Sequence, residues 1–247
     1  MPKEKASSRQ RTVKAKTESK APASPKGLVS RRGPLAPERV AAILKGLDEA
    51  YPVAVCALTH TSPWELLVAT ILSAQCTDVR VNMVTPELFR RFPSPKSMSK
   101  ATQPQIEELI RTTGFFRNKA KSILGAAKRV TEEFGGRVPQ TLAELITIPG
   151  AARKTANVVL GVSFGKAEGV VVDTHVFRIS RRLELAKGDT AEKVEQELIR
   201  VLPQDRWISF SHQIIHHGRQ VCTARNPKCR QCNLEQLCRS KDKTWSS

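Results

Sequence analysis

Large apolar residues recur along this chain at intervals of three and four positions, the spacing that places them on one face of an α-helix. The clearest case follows Pro37, where the apolar positions are Val40, Ile43, Leu44 and Leu47. Comparable stripes occupy residues 66–72, 106–110, 120–130 and 207–216. No stretch alternates apolar and polar residues at every second position, as a half-buried β-strand does. The pattern therefore predicts an all-α protein.

Side chains that cap helices precede several of these stripes. Ser62 stands directly before Pro63 and three residues before Glu65, the arrangement of a capping box with proline at the first helical position. Other candidate caps are Thr102, Thr141, Asp173 (for residues 174–183) and Thr190 (for residues 191–201). We therefore expect many short helices joined by tight connections.

The chain is strongly basic, with 41 lysines and arginines against 23 acidic residues and a formal net charge of +18. Such an excess suits a polyanionic partner, because a protein that neutralises phosphates releases their condensed counterions. Residues 1–34 have a net charge of +8 and almost no large apolar side chains, which predicts a disordered basic arm. About +10 remains on the rest of the chain, so we expect the folded part to bind nucleic acid as well.

Targeting signals are absent from the sequence pattern. No apolar run approaches the roughly 20 residues that span a bilayer, and residues 1–30 lack the apolar segment of a signal peptide. We expect no membrane partner and a cytoplasmic location in a bacterium. A transit peptide to an organelle is the weaker interpretation of the basic arm, because of Glu4, the many lysines and the missing apolar face.

Four of the six cysteines lie close together near the end of the chain, in the spacing C-x6-C-x2-C-x5-C. They are Cys222, Cys229, Cys232 and Cys238. Both structural zinc and iron–sulfur clusters accept four thiolates, so the spacing alone leaves the metal open. Cys56 and Cys76 remain as candidate buried thiols, and thiolate ligands beside unpaired cysteines are typical of a reducing interior.

A short turn at Pro149 and Gly150 separates two predicted helices, the second over residues 152–163. This is an αα-hairpin, and the first N–H groups of its second helix have no intrahelical partner. Those groups, with the helix dipole, can bind a phosphate. Taken alone, the turn is better explained as an ordinary helix connection.

Lys154 falls in the first turn of that second helix, where the dipole repels cations. This field, the adjacent Arg153 and partial burial would favour the neutral amine, which can form a Schiff base. The alternative is a solvated or phosphate-binding lysine. Asp173 is the expected companion, since a carboxylate held at a helix N-terminus can stabilise a developing positive charge or help activate a nucleophile. Its alternative role is capping only.

Several segments together resemble the helix-hairpin-helix DNA glycosylases, and among them the endonuclease III family. The matching segments are residues 72–78 (LSAQCTD), 114–120 (GFFRNKA), 149–160, 172–175 (VDTH) and 217–219 (HGR), followed by the four cysteines. The resemblance spans about residues 35–243. It implies two helical lobes with a DNA-binding cleft between them, formed by residues 56–166 and by residues 35–55 with 167–247.

The resemblance also implies an activity, a cofactor and a partner. The expected enzyme is a bifunctional DNA glycosylase and AP lyase of base excision repair, in which Lys154 attacks C1′ beside Asp173 and the strand is nicked by β-elimination. The four cysteines match the ligands of a [4Fe–4S] cluster. The expected partner of the monomeric protein is double-stranded DNA that contains damaged pyrimidines or abasic sites.

Contacts with DNA follow from the same matches. Gln75 matches the residue that fills the gap left by the extruded base, with a buried glutamine as the alternative. Phe115 aligns with a wedge against the opposite strand, with a core aromatic as the alternative for Phe115 or Phe116. The remaining predicted DNA contacts are Gly150, Ala152 and Arg153 in the hairpin and Arg225 and Lys228 in the loop after Cys222.

The sequence departs from the family pattern at Ala152, where a glycine is usual. A methyl group there could disfavour a positive φ or crowd a phosphate. The roles of Asp78 and His175 stay open, with His175 interpreted as structural. Two alternatives to the main function remain: a related glycosylase for pyrimidine dimers or mismatched thymine, and a catalytically idle iron–sulfur DNA-binding protein.

Overall fold

Residues 33–244 are described by the structure, a computed structural model, and eleven α-helices account for most of this range. The α-helices are α1 (Pro37–Ala50), α2 (Pro63–Leu72), α3 (Asp78–Arg91), α4 (Pro95–Ser99), α5 (Gln103–Ile110), α6 (Phe116–Glu132), α7 (Leu142–Leu145), α8 (Arg153–Phe164), α9 (Thr174–Arg182), α10 (Ala191–Val201) and α11 (Trp207–Gln220). No β-strand occurs between residues 33 and 244, so the predicted all-α class is confirmed. The predicted basic arm lies outside the described residues except for its last two positions.

The predicted helix starts are largely confirmed, with one difference at α2. The Ser62 hydroxyl accepts from the Glu65 N–H at 3.2 Å, as expected for a cap. The Glu65 carboxylate, however, accepts from the N–H of Thr61 at 2.6 Å and not from that of Ser62. The second half of the predicted capping box is therefore wrong, because the side chain reaches one residue further back.

The pattern of apolar residues does not predict one long helix, α3. Helix α3 buries only Val81, Thr85 and Leu88, and it contains Pro86 in its interior. A threonine in the apolar stripe weakens the helical period, and an interior proline normally ends a helix. Packing of the buried face against α2 and α5 outweighs both signals.

Buried apolar side chains form two clusters. The first contains residues of α2, α3, α5, α6 and α8, and the second contains residues of α1, α9, α10 and α11. The chain therefore passes from the second cluster to the first after α1 and returns after α8. The lobe boundaries given above stay a prediction. None of the helices between residues 33 and 244 combines the length and the apolar character needed to span a bilayer.

Gly150→Ala should lower the free energy of unfolding by about 2 kcal/mol. Gly150 has φ +83°, and an added Cβ would lie 2.9 Å from the Ser122 Cβ. Positive φ alone costs an L-residue roughly 1–2 kcal/mol, and the clash adds to it. Urea unfolding monitored by circular dichroism measures the change. The matched control is Gly135→Ala, at φ +58° with no atom within 4 Å, which should lose less; equal losses would show that the contact with Ser122 is unimportant.

Candidate active site

The hairpin turn presents the N-terminus of α8. Ala151 is buried, and Ala152 is the N-cap residue with φ −66° and ψ 167°. The expected difficulty with a positive φ at Ala152 is therefore wrong, because this position has ordinary extended backbone. Gly150 supplies the positive φ that the turn needs. The turn geometry therefore does not require a glycine at position 152.

Lys154 and Asp173 line the same cavity, whose volume is about 140 Å³. Lys154 lies in the first turn of α8 and Asp173 directly precedes α9, so the two N-termini meet there. Lys154 is exposed, and the expected partial burial is wrong because the side chain lies where the cavity opens to solvent. Asp173 is half-buried.

Two helix faces form most of the cavity wall. Helix α8 contributes Asn157, Val158, Gly161 and Val162, and α11 contributes Ile208, Ser211, His212, Ile215, His216 and Arg219. The helices approach closely where a Cβ on Gly161 would lie 3.1 Å from Ile208. Burial, with the charge of His216 adding to it, lowers the pKa of His212. The wall is therefore mainly apolar, with a neutral imidazole that can both donate and accept a hydrogen bond near pH 7.

The Asp173 carboxylate is fixed by the helix that it caps. Its Oδ1 accepts from the N–H groups of His175 at 2.9 Å and Val176 at 2.8 Å. Hydrogen bonds of this kind fix the direction of the side chain. The predicted cap is confirmed, and the same bonds orient the carboxylate toward the cavity.

Asp78 and Arg219 close one side of the cavity. Arg219 Nη2 donates to Asp78 Oδ2 at 2.6 Å, which joins α3 of the first cluster to α11 of the second. His175 packs against Gly218, where a Cβ would lie 2.5 Å from Nδ1. Burial lowers the pKa of His175, and the Asp173 carboxylate opposes that shift only in part. Asp78 thus links the two clusters, and His175 fills the space beside α11.

Gln75 and Phe115 are both exposed and both have left-handed backbone, with φ of +51° and +46°. Phe115 is 65% exposed, whereas Phe116 is partly buried against the first cluster. The alternatives of a buried Gln75 and a core Phe115 are therefore wrong. Lys119 supports the Phe115 turn, since its buried ammonium donates to the Thr113 carbonyl at 2.7 Å.

Arg153 does not point freely into solvent. Its Nη2 lies 3.1 Å from Oε1 of Glu195, and Nε is 3.2 Å from both carboxylate oxygens. The side chain that was predicted to contact DNA is thus paired across to α10. Glu195 escaped the sequence analysis; its only signal was an acidic residue between the apolar positions Val194 and Leu198.

The four clustered cysteines, Cys222, Cys229, Cys232 and Cys238, line one cavity. All six cysteines of the chain are free. Between residues 33 and 244, no three His, Cys, Asp or Glu side chains are arranged to hold a single metal ion. Four thiols around one cavity are a donor set that both structural zinc and an iron–sulfur cluster accept, so the lining alone leaves the metal open.

The loop after Cys222 is attached to α9 by one arginine. Arg182 Nη1 lies 3.3 Å from Cys222 Sγ and donates to the Thr223 carbonyl at 2.8 Å. Arg225 and Lys228 are exposed on this loop. The loop therefore exposes two cationic side chains, and Arg182 holds its backbone against α9.

Comparison with known proteins identifies the class. Residues 68–204 match the model of the HhH-GPD superfamily base excision DNA repair protein. Endonuclease III of Synechocystis sp. is 54% identical over 82% of this chain and 93% of its own length, and that of Escherichia coli is 40% identical over 81% and 95%. The chain therefore belongs to the HhH-GPD superfamily and, within it, to the endonuclease III family.

A solved structure of a trapped covalent endonuclease III–DNA intermediate is similar to this structure, with a TM-score of 0.78 and 38% sequence identity. The match covers 83% of this chain and 96% of that one. A thermostable thymine-DNA glycosylase has a TM-score of 0.73 at 20% identity, which shows a common fold.

Two replacements of Asp173 test its capping role through their effect on stability. Asp173→Ala should lower the free energy of unfolding by about 1 kcal/mol, since both N–H bonds to Oδ1 are lost. Asp173→Asn keeps an acceptor oxygen and should change stability by only a few tenths of a kcal/mol. Urea unfolding of the two variants checks this, and a large loss in Asp173→Asn would contradict the capping geometry.

Proposed function

We propose that this protein is a bifunctional DNA glycosylase and AP lyase that removes oxidised pyrimidines, with Lys154 as nucleophile and Asp173 as its partner carboxylate. The observation that supports this most is the cavity that both residues line, between two helix N-termini in a member of the endonuclease III family.

The reaction begins when the unprotonated Nζ of Lys154 attacks C1′ of the damaged nucleotide. The bond from Nζ to C1′ forms, the bond from C1′ to the base breaks, and the base leaves with the bonding electrons and takes up a proton. Nζ then loses a proton, the bond between C1′ and the ring oxygen breaks, and the ring oxygen keeps the bonding electrons and takes up a proton from water, which leaves a protonated imine between Nζ and C1′. Removal of a proton from C2′ expels the 3′ phosphate, and water hydrolyses the imine to release Lys154.

Asp173 acts on the positive charge that this sequence creates. Its Oδ1 is held by two backbone N–H groups, so Oδ2 can face the bound sugar. A fixed carboxylate needs no reorganisation when C1′ becomes electron-poor, and it can also accept the proton that Lys154 must lose. The cap and the catalytic carboxylate are then the same group.

The target nucleotide must leave the base stack before C1′ can be reached. Gln75 and Phe115 would serve this task, and their exposure on turns outside the core supports the assignment. The N–H groups at Gly150 and Ala152, with Arg225 and Lys228, would bind phosphates. The α11 wall, which includes His212, would receive the extruded base.

The family relationship, and the one cavity that all four thiols line, support a [4Fe–4S] cluster held by Cys222, Cys229, Cys232 and Cys238. The cluster supplies structural stability and no step of the base removal or strand cleavage. The residues of the chain that depend on it are Arg225 and Lys228, whose loop is closed by those ligands. The monomeric state and the cytoplasmic location stay predictions.

Lys154→Ala should abolish strand nicking and borohydride trapping on DNA with an abasic site. We expect the rate to fall roughly 10³-fold or more, the scale for loss of a covalent nucleophile. Binding to a duplex with a non-cleavable abasic analogue should change little, since most affinity comes from phosphate contacts.

The matched control is Lys166→Ala, which removes the lysine just beyond the other end of α8. That variant should nick and trap like the wild type. Nicking by Lys154→Ala at the wild-type rate would exclude Lys154 as the nucleophile, and a wild type that forms no adduct would indicate the idle DNA-binding alternative.

Cys229→Ser should give protein with less iron, little visible absorption and a lower yield of folded material, because metal binding contributes to folding at such sites. Iron and sulfide analysis with the visible spectrum measures this. Cys76→Ser, outside the group of four, should keep its iron. A stable, brown and active Cys229→Ser protein would contradict the four-ligand assignment.

A further inference from the structure

A buried carboxylate lies behind the catalytic pair. Glu195 on α10 is only 7% exposed. Its Oε1 accepts from Arg153 Nη2 at 3.1 Å and from Asn157 Nδ2 at 3.1 Å, and Arg153 Nε lies 3.2 Å from both oxygens. Arg153 and Asn157 are one turn apart on α8, and Lys154 lies between them. Through Arg153 and Asn157, the Glu195 carboxylate therefore holds the turn of α8 that bears Lys154.

The same carboxylate also supports the segment that leads to Asp173. Gly169 packs against it so closely that an added Cβ would lie 2.2 Å from Glu195 Oε1 and 2.6 Å from Asn157 Nδ2. Residues 169–172 then run directly into Asp173, which caps α9. Glu195 is thus the point where the Lys154 helix, the Asp173 segment and α10 meet.

Such a group has little freedom to move. A buried carboxylate is stable only when it is paired and hydrogen-bonded, and loss of its partners leaves an uncompensated charge. Asn157, 4% exposed, depends on it as well, because among the described residues no partner is found for its other amide atom, Oδ1. The network therefore defines one relative position of the three segments, whereas apolar contacts alone tolerate sliding.

We propose that Glu195 is a positioning residue that sets the separation between Lys154 and Asp173. The inference rests on the proposed function. Attack at C1′ needs reacting atoms about 3–3.5 Å apart, and an error of about 1 Å can cost 10²-fold in rate. Glu195 touches neither the sugar nor the base; it acts through Arg153, Asn157 and Gly169. Arg153 accordingly braces the site through its pair with Glu195.

The test compares Glu195→Met with Glu195→Gln in single-turnover borohydride trapping on abasic DNA. Methionine fills the space without an oxygen acceptor, whereas glutamine keeps the shape and an acceptor. Glu195→Met should react roughly 10- to 100-fold more slowly. Glu195→Gln should stay within about fivefold of the wild type. Both should reach the wild-type trapped fraction at the endpoint, and both should bind a tetrahydrofuran duplex within about threefold of the wild-type Kd.

These readouts separate positioning from a general loss of structure. A misfolded fraction lowers the trapped endpoint, whereas displaced groups lower the rate and leave the endpoint intact. Glu197→Met is the matched control, since its carboxylate on the same helix accepts from the N–H groups of Lys187 and Gly188 at 2.6 and 3.0 Å, away from the cavity. That variant should trap at the wild-type rate. If Glu195→Met folds poorly, the double variant Arg153→Met/Glu195→Met serves instead, because it removes both charges. It should show the same slow trapping rate.

A wild-type trapping rate in Glu195→Met or in the double variant would overturn the inference. The inference would also fail if Glu197→Met trapped as slowly as Glu195→Met, or if Glu195→Gln did. A wild-type protein that forms no adduct would overturn the proposed function and this inference together. Normal trapping by the wild type with an unchanged Glu195→Met rate would overturn the inference alone.

Discussion

The structure depends on holding two buried clusters at a set distance, because the cavity between them receives groups from both. Lys154 belongs to a helix of the first cluster and Asp173 to a helix of the second. Ion pairs span the boundary, among them Arg153 with Glu195 and Arg219 with Asp78. Removal of Arg153 should cost more than removal of one partner of an exposed ion pair, since it would leave the buried Glu195 carboxylate without its charged partner. Directional bonds of this kind complement apolar packing, which specifies position less sharply.

The side chains proposed to act in this protein lie at or just before helix N-termini. Lys154 and Asp173 lie at the N-termini of α8 and α9, and Gln75 and Phe115 lie just before α3 and α6. A helix start combines unpaired N–H groups, a positive dipole end and freedom in the preceding backbone. Gln75 and Phe115 use that freedom at positive φ, a costly conformation that often accompanies function. The same local geometry thus serves capping, phosphate binding and exposure of side chains.

Helix positions were predictable wherever a strong cap met a clear apolar period. Asp173 and Thr190 are examples, and the helices after them begin at Thr174 and Ala191. Helix α3 was missed because Thr85 and Pro86 obscure a period that tertiary packing restores. The concern about Ala152 was wrong because φ at that position depends on the turn, and the glycine at position 150 already provides the positive value.

By itself, the sequence determined the all-α class, the family and the residues capable of the chemistry, because periodicity, caps and motif spacing are local properties of the chain. Only the tertiary structure decided what those residues face. Lys154 is exposed at a cavity shared with Asp173, and Arg153 turns inward to Glu195, 42 residues away in sequence. Burial and long-range pairing depend on how helices pack against one another, and no local pattern states which charged side chain will find a partner there.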